Sequence, residues 1–223
     1  GVTLSATGVN ARGIATENGG SAKMGAGSHI SSAKGGGLIA SSNSSINYIG
    51  GTTAATRNTI TAGGSYGASA QQINTTVNLK NTDVFVNSAG ARAYGLWAVS
   101  SGVINAENVT VHAVDGVYGI RSNAGGKTNL SGNIVIDASA SGVAMLTDGA
   151  TSWTKGTGKM TISGSLITQN GGLIDLVLEN GSVFVGSANK NTGTIKLKME
   201  AGSKWYVTAD KCVDLVMEEG SIL

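Results

Sequence analysis

The residues most often used for chemistry in proteins are few in this chain and lie far apart. The two histidines, His29 and His112, have no cluster of further ligands near them in the sequence. Since a zinc site needs three or four converging ligands, we predict neither a metal site nor a cofactor. The single cysteine, Cys212, excludes an internal disulfide and is typical of a small buried hydrophobic side chain.

The carboxylates do not form an obvious catalytic pair. Asp83, Asp115, Asp137 and Asp148 fall at different positions of the repeat described below, whereas glycosidase chemistry needs two carboxylates at a defined separation. The best pair is Asp137 with His112, one repeat apart, and the alternative is that both fill a polar surface. No Gly-Asp-Ser-Gly nucleophile motif occurs, and nothing singles out a serine for a Ser-His-Asp triad. We therefore predict that the protein is not an enzyme.

The composition indicates a long, thin core. The 223 residues include 35 glycines and no proline, and although 4% are aromatic and 13% charged, 40% are hydrophobic. Such a chain is not disordered, but it has too few large side chains to fill a central globular core. The net charge of +2 gives no indication of a nucleic-acid partner.

Any site must be positioned by the structural elements of the chain, and these elements recur with a period of about 25 residues. Three short triplets with aliphatic outer residues recur, and they end at Val86, Val111 and Ile136. The steps between these end residues are both 25 residues. A track of glycine or alanine followed by an aliphatic residue runs in step, as Gly13-Ile14-Ala15, Gly37-Leu38-Ile39, Gly95-Leu96-Trp97, Gly119-Ile120-Arg121 and Ala144-Met145-Leu146. A fixed period of this length indicates a solenoid.

Extending the period in both directions predicts one inward column of aliphatic residues: Leu4, Ile30, Ile60, Val86, Val111, Ile136, Ile162, Val185 and Val207. Apolar residues at i and i+2, separated by frequent Gly and Asn, favour short strands over helices. Coils stacked at ~4.8 Å then form an all-β, right-handed parallel β-helix (solenoid) of about nine rungs. We predict a single domain over 1–223, with less regular rungs in 1–75, regular rungs in 76–152 and C-terminal rungs in 153–223. Irregular steps predict loops at Ser41–Ser45, Thr52–Thr56 and Ala68–Gln72.

Three similar turns follow the C-terminal strands: Leu178-Glu179-Asn180-Gly181-Ser182, Met199-Glu200-Ala201-Gly202-Ser203 and Met217-Glu218-Glu219-Gly220-Ser221. With the strand Lys204-Trp205-Tyr206-Val207-Thr208 between them, they resemble the passenger domains of type V (classical) autotransporters of the pertactin and AIDA type. The resemblance covers essentially the whole chain. The chain departs from the sequence pattern of these passenger domains at Ala209-Asp210, where Gly-Asp is common, and at Lys211-Cys212, where small hydroxyl residues are usual.

The resemblance implies a protein that is secreted or displayed on the Gram-negative outer-membrane surface. Its export would use the protein's own outer-membrane translocator barrel, which this sequence does not contain. The sequence shows no signal peptide and no apolar run of about 18 residues. We therefore expect a mature or excised piece whose natural chain continues downstream.

Two surface features are candidates for binding. If Leu96 and its equivalents face inward, then Trp97, Arg121 and Leu146 stack on the outside, with Tyr94 and Tyr118 at the same edge. Trp, Arg and Tyr are the residue types of binding hot spots, and the alternative is that Trp97 caps the side of the rod. The second feature is basic and suits an anionic glycan or cell surface, with a solvated face of mixed charge as the alternative: Lys190, Lys196, Lys198, Lys204 and Lys211.

These features predict an adhesin that binds a host cell-surface protein or glycan, with self-association as a further option. The first alternative is a released effector that activates a host receptor as a growth-factor mimic, as the similar pro-angiogenic passengers of bartonellae do. A polysaccharide-active enzyme is the third hypothesis.

Overall fold

The computed structural model describes residues 1–88, 93–113 and 116–223, without the side chains of 210–212. The expectations for Asp115, for the Lys211 side chain and for a buried Cys212 lie outside these residues. The regular secondary structure of the described chain is almost entirely β-strand, and its strands pair in parallel between successive turns. The predicted parallel β-solenoid is therefore confirmed. No helix in the described ranges is long and apolar enough to cross a membrane.

The strands follow one another in short segments joined by turns. They are β1 Thr3–Ala6, β2 Ile14–Thr16, β3 Ser21–Met24, β4 His29–Ser32, β5 Leu38–Ser41, β6 Ser45–Ile49, β7 Asn58–Ala62, β8 Tyr66–Gln71, β9 Thr76–Val86, β10 Tyr94–Val99, β11 Val103–Ala113, β12 Tyr118–Asn123, β13 Lys127–Ser131, β14 Ile134–Asp137, β15 Val143–Asp148, β16 Trp153–Gly158, β17 Met160–Ser163, β18 Ser165–Gln169, β19 Leu173–Leu178, β20 Val183–Lys190, β21 Thr194–Met199, β22 Lys204–Cys212 and β23 Asp214–Met217. A single 3₁₀ turn, Ala54–Thr56, interrupts them within the described residues.

Each turn of the solenoid adds one strand to each of three parallel sheets. The first sheet contains β1, β4, β7, β14 and β17, and the second contains β2, β5, β8, β10, β12, β15 and β18. The third contains β3, β6, β13, β16, β19, β21 and β23. The long strands β9 and β11 turn a corner from the third sheet into the first, and β20 and β22 turn from the first into the second.

The inward column of the first sheet has nine positions, which define eight turns. The register links Leu4, Ile30, Ile60, Val84, Val111, Ile136, Ile162, Phe184 and Trp205. Six of the nine predicted residues are therefore correct. Val86 is a correction by two residues along the same inward face, since it pairs with Ala113 instead of Val111.

A pair of corner asparagines explains the correction at Val86. Asn81 and Asn108 have φ angles of 48° and 54°, a conformation that asparagine tolerates better than most residues. The Asn108 amide donates to Asn81 Oδ1 at 3.1 Å, so the two corners stack directly. Because these corners are 27 residues apart, the strand after each corner starts in a register that the 25-residue repeat does not show.

Val185 and Val207 were predicted to face inward, and both predictions are wrong. Phe184 and Trp205 occupy the column instead and are 0% and 1% exposed, whereas Val207 is 38% exposed. Val185 is one residue from Phe184, and successive residues of a strand point to opposite faces, so this error moves a side chain from the core to the surface. Val207 is two residues beyond Trp205 and is the register partner of Gly186.

The glycine track exists because the second sheet approaches the first very closely. A β-carbon built on Gly95 would overlap Val111 Cγ1 and would lie 2.5 Å from the carbonyl oxygen of Gly119. Two turns after Gly95, and one turn after Gly119, the same column holds Ala144, which is fully buried. The column thus accepts no side chain at Gly95 and one methyl group at Ala144.

The predicted loops have mixed outcomes. The segment 52–56 lies between strands and includes the 3₁₀ turn. Residues 42–44 form only a tight turn between β5 and β6, and Ala68–Gln72 is wrong as a loop because 66–71 is strand β8. Small residues at 68–70 fit a strand here because all three are buried beneath neighbouring turns.

Candidate functional site

The outer face of the second sheet carries a packed group of aromatic side chains. Gly95 and Leu96 both face the core, since a Gly95 β-carbon would meet Val111 and Leu96 is fully buried. Two successive inward residues leave the residues before and after them, Tyr94 and Trp97, on the same outer surface. Their ring centroids are 5.1 Å apart.

Equivalent positions on neighbouring turns enlarge this group. Tyr66, Tyr94 and Tyr118 are register partners, and the rings of the last two are 5.7 Å apart. Trp97 is the register partner of Arg121. We call Tyr66, Tyr94, Trp97, Tyr118 and Arg121 the aromatic patch.

Two hydrogen bonds fix the polar groups of the aromatic patch. Arg121 Nη1 donates to the Tyr94 hydroxyl at 2.5 Å, and its guanidinium carbon lies 5.2 Å from the centre of the Tyr94 ring, within cation–π range. Trp97 Nε1 donates to Asn123 Oδ1 at 2.8 Å. Arg121 Nε is buried and has no hydrogen-bond partner among the described residues.

The structure corrects the exposure expected for two of these predicted residues. The predicted stack of Trp97, Arg121 and Leu146 is confirmed as a register column, and Trp97, Tyr118 and Arg121 are half-buried. Tyr94 is only 5% exposed because Trp97, Tyr118 and Arg121 contact its ring. Leu146 is 8% exposed, since side chains of adjacent turns flank it at strand spacing.

The sequence interpretation missed one member of the patch, Tyr66. Its ring lies 6.1 Å from that of Trp97 and is 6% exposed. Burial raises the pKa of the Tyr66 hydroxyl, and the nearby positive charge of Arg12 opposes this rise. A signal was present, because Tyr66-Gly67 repeats the pairs Tyr94-Gly95 and Tyr118-Gly119.

A small cleft adjoins the exposed edge of the patch. It encloses about 200 Å³ and is lined by Val117, Tyr118 and Val143, together with Gly116, Ser141 and Gly142. Its walls are therefore mostly apolar or glycine, and one of them is a ring of the patch.

The lysines of the last turns form a surface of mixed charge. Lys198 Nζ contacts Glu218 at 2.8 Å and Glu200 at 3.4 Å. The hydrogen bond from Lys198 lowers the pKa of Glu218, and that of Lys198 is raised in turn. Lys190 pairs with Asp214 at 3.3 Å.

The two remaining described lysines, Lys196 and Lys204, form no ion pair within 4.0 Å with a described carboxylate. The exposed Lys196 is the register partner of Asp175 on one side and Asp214 on the other. Lys204 lies at the start of the next strand, β22, and is half-buried. The described lysines therefore alternate with carboxylates on this face.

The residues considered for catalysis are engaged in other contacts. His112 stacks on Phe85, with centroids 4.6 Å apart and planes 7° from parallel, and is the register partner of Asp137. His29 hydrogen-bonds Thr59 at 2.7 Å, and Asp83 pairs with Arg57 at 2.6 Å. Outside the undescribed positions, no group of three or more His, Cys, Asp or Glu side chains is placed to hold a metal ion.

Comparison with known proteins shows that the chain is similar in sequence to two curated proteins. No protein-family model matches the chain. It is 42% identical over 205 residues to the "Probable autotransporter YcgV" of Escherichia coli (strain K12), covering 88% of this chain and 21% of that protein. It has the same identity to the "Putative uncharacterized protein YcgV" of Escherichia coli O157:H7, of which it covers 37%. The solved structure of a hyper-glycosylated TibA fragment aligns with 100% of this chain and 94% of the TibA fragment. The sequence identity is 14% and the TM-score is 0.28, which is too low to support an argument.

Proposed function

We propose that this autotransporter-like chain, secreted or displayed at the outer-membrane surface, is an adhesin that binds a host cell-surface protein through the aromatic patch. The 42% identity to a probable autotransporter confirms the resemblance predicted from the C-terminal Gly-Ser turns, and with it the secreted or surface location. The chain spans 21% and 37% of the two relatives, so the binding role is proposed for this segment alone.

The observation that supports binding is the packing of Trp97, Tyr118 and Arg121 around the buried Tyr94 ring. Trp, Tyr and Arg are the side chains that dominate interface energies. All three outer members are half-buried, so each keeps an accessible edge for a partner. An aromatic group that served only the core would be covered, as Phe184 and Trp205 are.

The patch is also organised before any partner arrives. The Trp97 indole is held by Asn123 and the Arg121 guanidinium by Tyr94. Binding therefore immobilises few additional rotamers, and the entropy cost of association is reduced.

The shape of the patch favours a protein over a sugar. Tyr94 is inclined by 37° to Trp97 and by 39° to Tyr118, and it is covered by both. Such a surface offers edges and a cleft of about 200 Å³ beside Tyr118, and an apolar side chain of a protein fits this cleft. A sugar ring stacks best on an open, flat aromatic face.

Cell binding with matched aromatic variants tests this function. The fluorescent chain is applied to hyaluronidase-treated human epithelial cells and bound fluorescence is measured by flow cytometry. Trp97→Ala and Arg121→Ala are expected to weaken binding by about tenfold or more. Tyr206→Ala, which removes an exposed aromatic side chain outside the aromatic patch, is the matched control and should bind normally.

Treatment of the cells separates the two classes of partner. Surface proteolysis should abolish binding, whereas periodate oxidation of surface sugars should leave it. Normal binding by both patch variants would overturn the role of the aromatic patch, and binding that resists proteolysis but not periodate would assign it to glycan. Self-association and receptor activation stay predictions.

A further inference from the structure

The third sheet carries a continuous ladder of asparagine side chains along the rod axis. Asn47, Asn78, Asn105 and Asn129 are register partners on four successive turns. The amide nitrogen of each of the last three donates to the oxygen of the preceding asparagine, and all three distances are 2.8 Å. We call these four residues the asparagine ladder.

The ladder retains hydrogen-bonding capacity towards solvent. An amide group has two N–H donors and two acceptor lone pairs, and an internal member of the ladder uses one of each for its neighbours. Beside Asn78, Asn105 and Asn129 lies a depression of about 260 Å³, whose rim includes Lys80 and Glu107. The turn spacing of ~4.8 Å is close to the length of one pyranose unit. A linear glycan lying along the rod would therefore meet an amide at each sugar.

On the next turn, Lys155 is the register partner of Asn129, and a tryptophan on the same strand bonds to the asparagine ladder. Trp153 Nε1 donates to Asn129 Oδ1 at 3.2 Å, which draws the indole towards the ladder. Lys127 Nζ lies 4.4 Å and Lys155 Nζ 5.1 Å from the centre of the indole ring. Lys127 is on the preceding turn, and Lys155 is on the same strand as Trp153.

Lys127 and Lys155 differ from two other lysines on this sheet, Lys80 and Lys198. Lys80 is neutralised by Glu107 at 2.8 Å, and Lys198 contacts two glutamates. No described carboxylate lies within 4.0 Å of Lys127 or Lys155. The end of the asparagine ladder thus combines a half-buried aromatic ring with two lysines that form no described ion pair within 4.0 Å, and Asp175 is the register partner of Lys155 on the next turn.

We propose that Lys127, Trp153 and Lys155, together with the asparagine ladder, bind a linear acidic glycan containing uronate and N-acetylhexosamine units. The two ammonium groups pair with a uronate carboxylate, and the indole packs against the sugar ring. The asparagine amides hydrogen-bond the hydroxyl and acetamide groups of the following sugars. This site lies on a different sheet from the aromatic patch and does not rest on the adhesin function proposed there.

Fluorescence anisotropy with a labelled hyaluronan decasaccharide tests the site. A chitin oligosaccharide of equal length carries N-acetylhexosamine without carboxylates and is the neutral control. We expect the wild-type chain to bind hyaluronan at least about tenfold more tightly than the chitin oligosaccharide. Raising the salt concentration should reduce this difference, because exposed charge pairs are screened.

Variants assign the binding to the named residues. Trp153→Ala and the double variant Lys127→Gln/Lys155→Gln should each weaken hyaluronan binding by about tenfold, and only the double variant should also remove the salt dependence. The wild-type chain should bind the hyaluronan decasaccharide more tightly than a tetrasaccharide, and Asn105→Ala should reduce this difference in affinity. Trp97→Ala and Lys196→Gln are the matched controls and should bind as the wild type does.

The proposal is overturned by any of three results. These are no binding of hyaluronan by the wild-type chain, equal binding of the neutral oligosaccharide, or normal binding by Trp153→Ala. Thermal unfolding of every variant is measured in parallel, and Trp153→Phe, which keeps an aromatic face, should retain most of the affinity. Loss of cell binding in Trp97→Ala with unchanged hyaluronan binding would separate this site from the aromatic patch.

Discussion

The Phe184 and Trp205 rings stack in the interior of two successive turns, with centroids 5.1 Å apart and planes 18° from parallel. Both side chains are at most 1% exposed, and the Trp205 indole nitrogen donates to the Gly186 carbonyl at 2.9 Å. Two of the three largest fully buried side chains thus meet near the C-terminal end of the described rod, whereas the upstream turns hold only aliphatic residues in this column.

Truncating Phe184 tests the assigned register. Phe184→Ala removes a fully buried ring and leaves a cavity beside Trp205, so the free energy of unfolding should fall by about 3–5 kcal/mol. Val185→Ala, one residue away on the half-buried outer side, should cost about 1 kcal/mol or less. Urea denaturation followed by circular dichroism measures both. A larger loss for Val185→Ala than for Phe184→Ala would restore the register predicted from the sequence.

The glycine column predicts that adding one methyl group lowers the free energy of unfolding more than removing one does. Gly95→Ala places a β-carbon against Val111 and 2.5 Å from the Gly119 carbonyl oxygen, and overpacking of this kind should cost about 3 kcal/mol. Ala144→Gly, at the equivalent position one turn beyond Gly119, should cost only about 1 kcal/mol. Urea midpoints of the two variants give the comparison, and equal midpoints would contradict a close approach at Gly95.

The burial of Tyr48 predicts that the free energy of unfolding falls at alkaline pH. Its side chain is fully buried and its hydroxyl lies 2.6 Å from the Ser28 carbonyl oxygen. Burial raises the pKa of Tyr48 well above its ordinary value of 10.0. Above that value the unfolded chain loses the proton while the folded chain keeps it, so the free energy of unfolding falls as pH rises.

The Tyr48→Phe variant isolates this contribution. Below pH 10 the contribution of the protonated hydroxyl is fully present. Above it the wild type should lose up to about 1.4 kcal/mol per pH unit more than Tyr48→Phe. Urea titrations at pH 8 and pH 11 measure the difference, with Tyr206→Phe, at an exposed site, as a control that keeps the wild-type slope. Identical pH slopes in the wild type and Tyr48→Phe would rule out the shift.

Sequence reasoning reached part of the candidate site. The glycine track correctly placed Trp97 beside Arg121 because the two stand at the same distance from glycines that must both face the core. It missed Tyr66, although the repeated Tyr-Gly pair marks that position, and it missed the burial of Tyr94, which does not follow from spacing. Burial of these rings depends on side chains that are contributed by other turns.

The sequence by itself determined the solenoid, its short strands and most of its inward positions. These follow from the spacing of apolar residues and from glycine and asparagine at turns, which are properties of chain neighbours. Only the tertiary structure decided which residues meet across turns. Corner residues such as Asn81 and Asn108 set the register over 27 residues, and an alternating pattern fits equally well on either face. The stacked Phe184 and Trp205, the covered Tyr94 and the pairing of Trp153 with Asn129 all depend on that register.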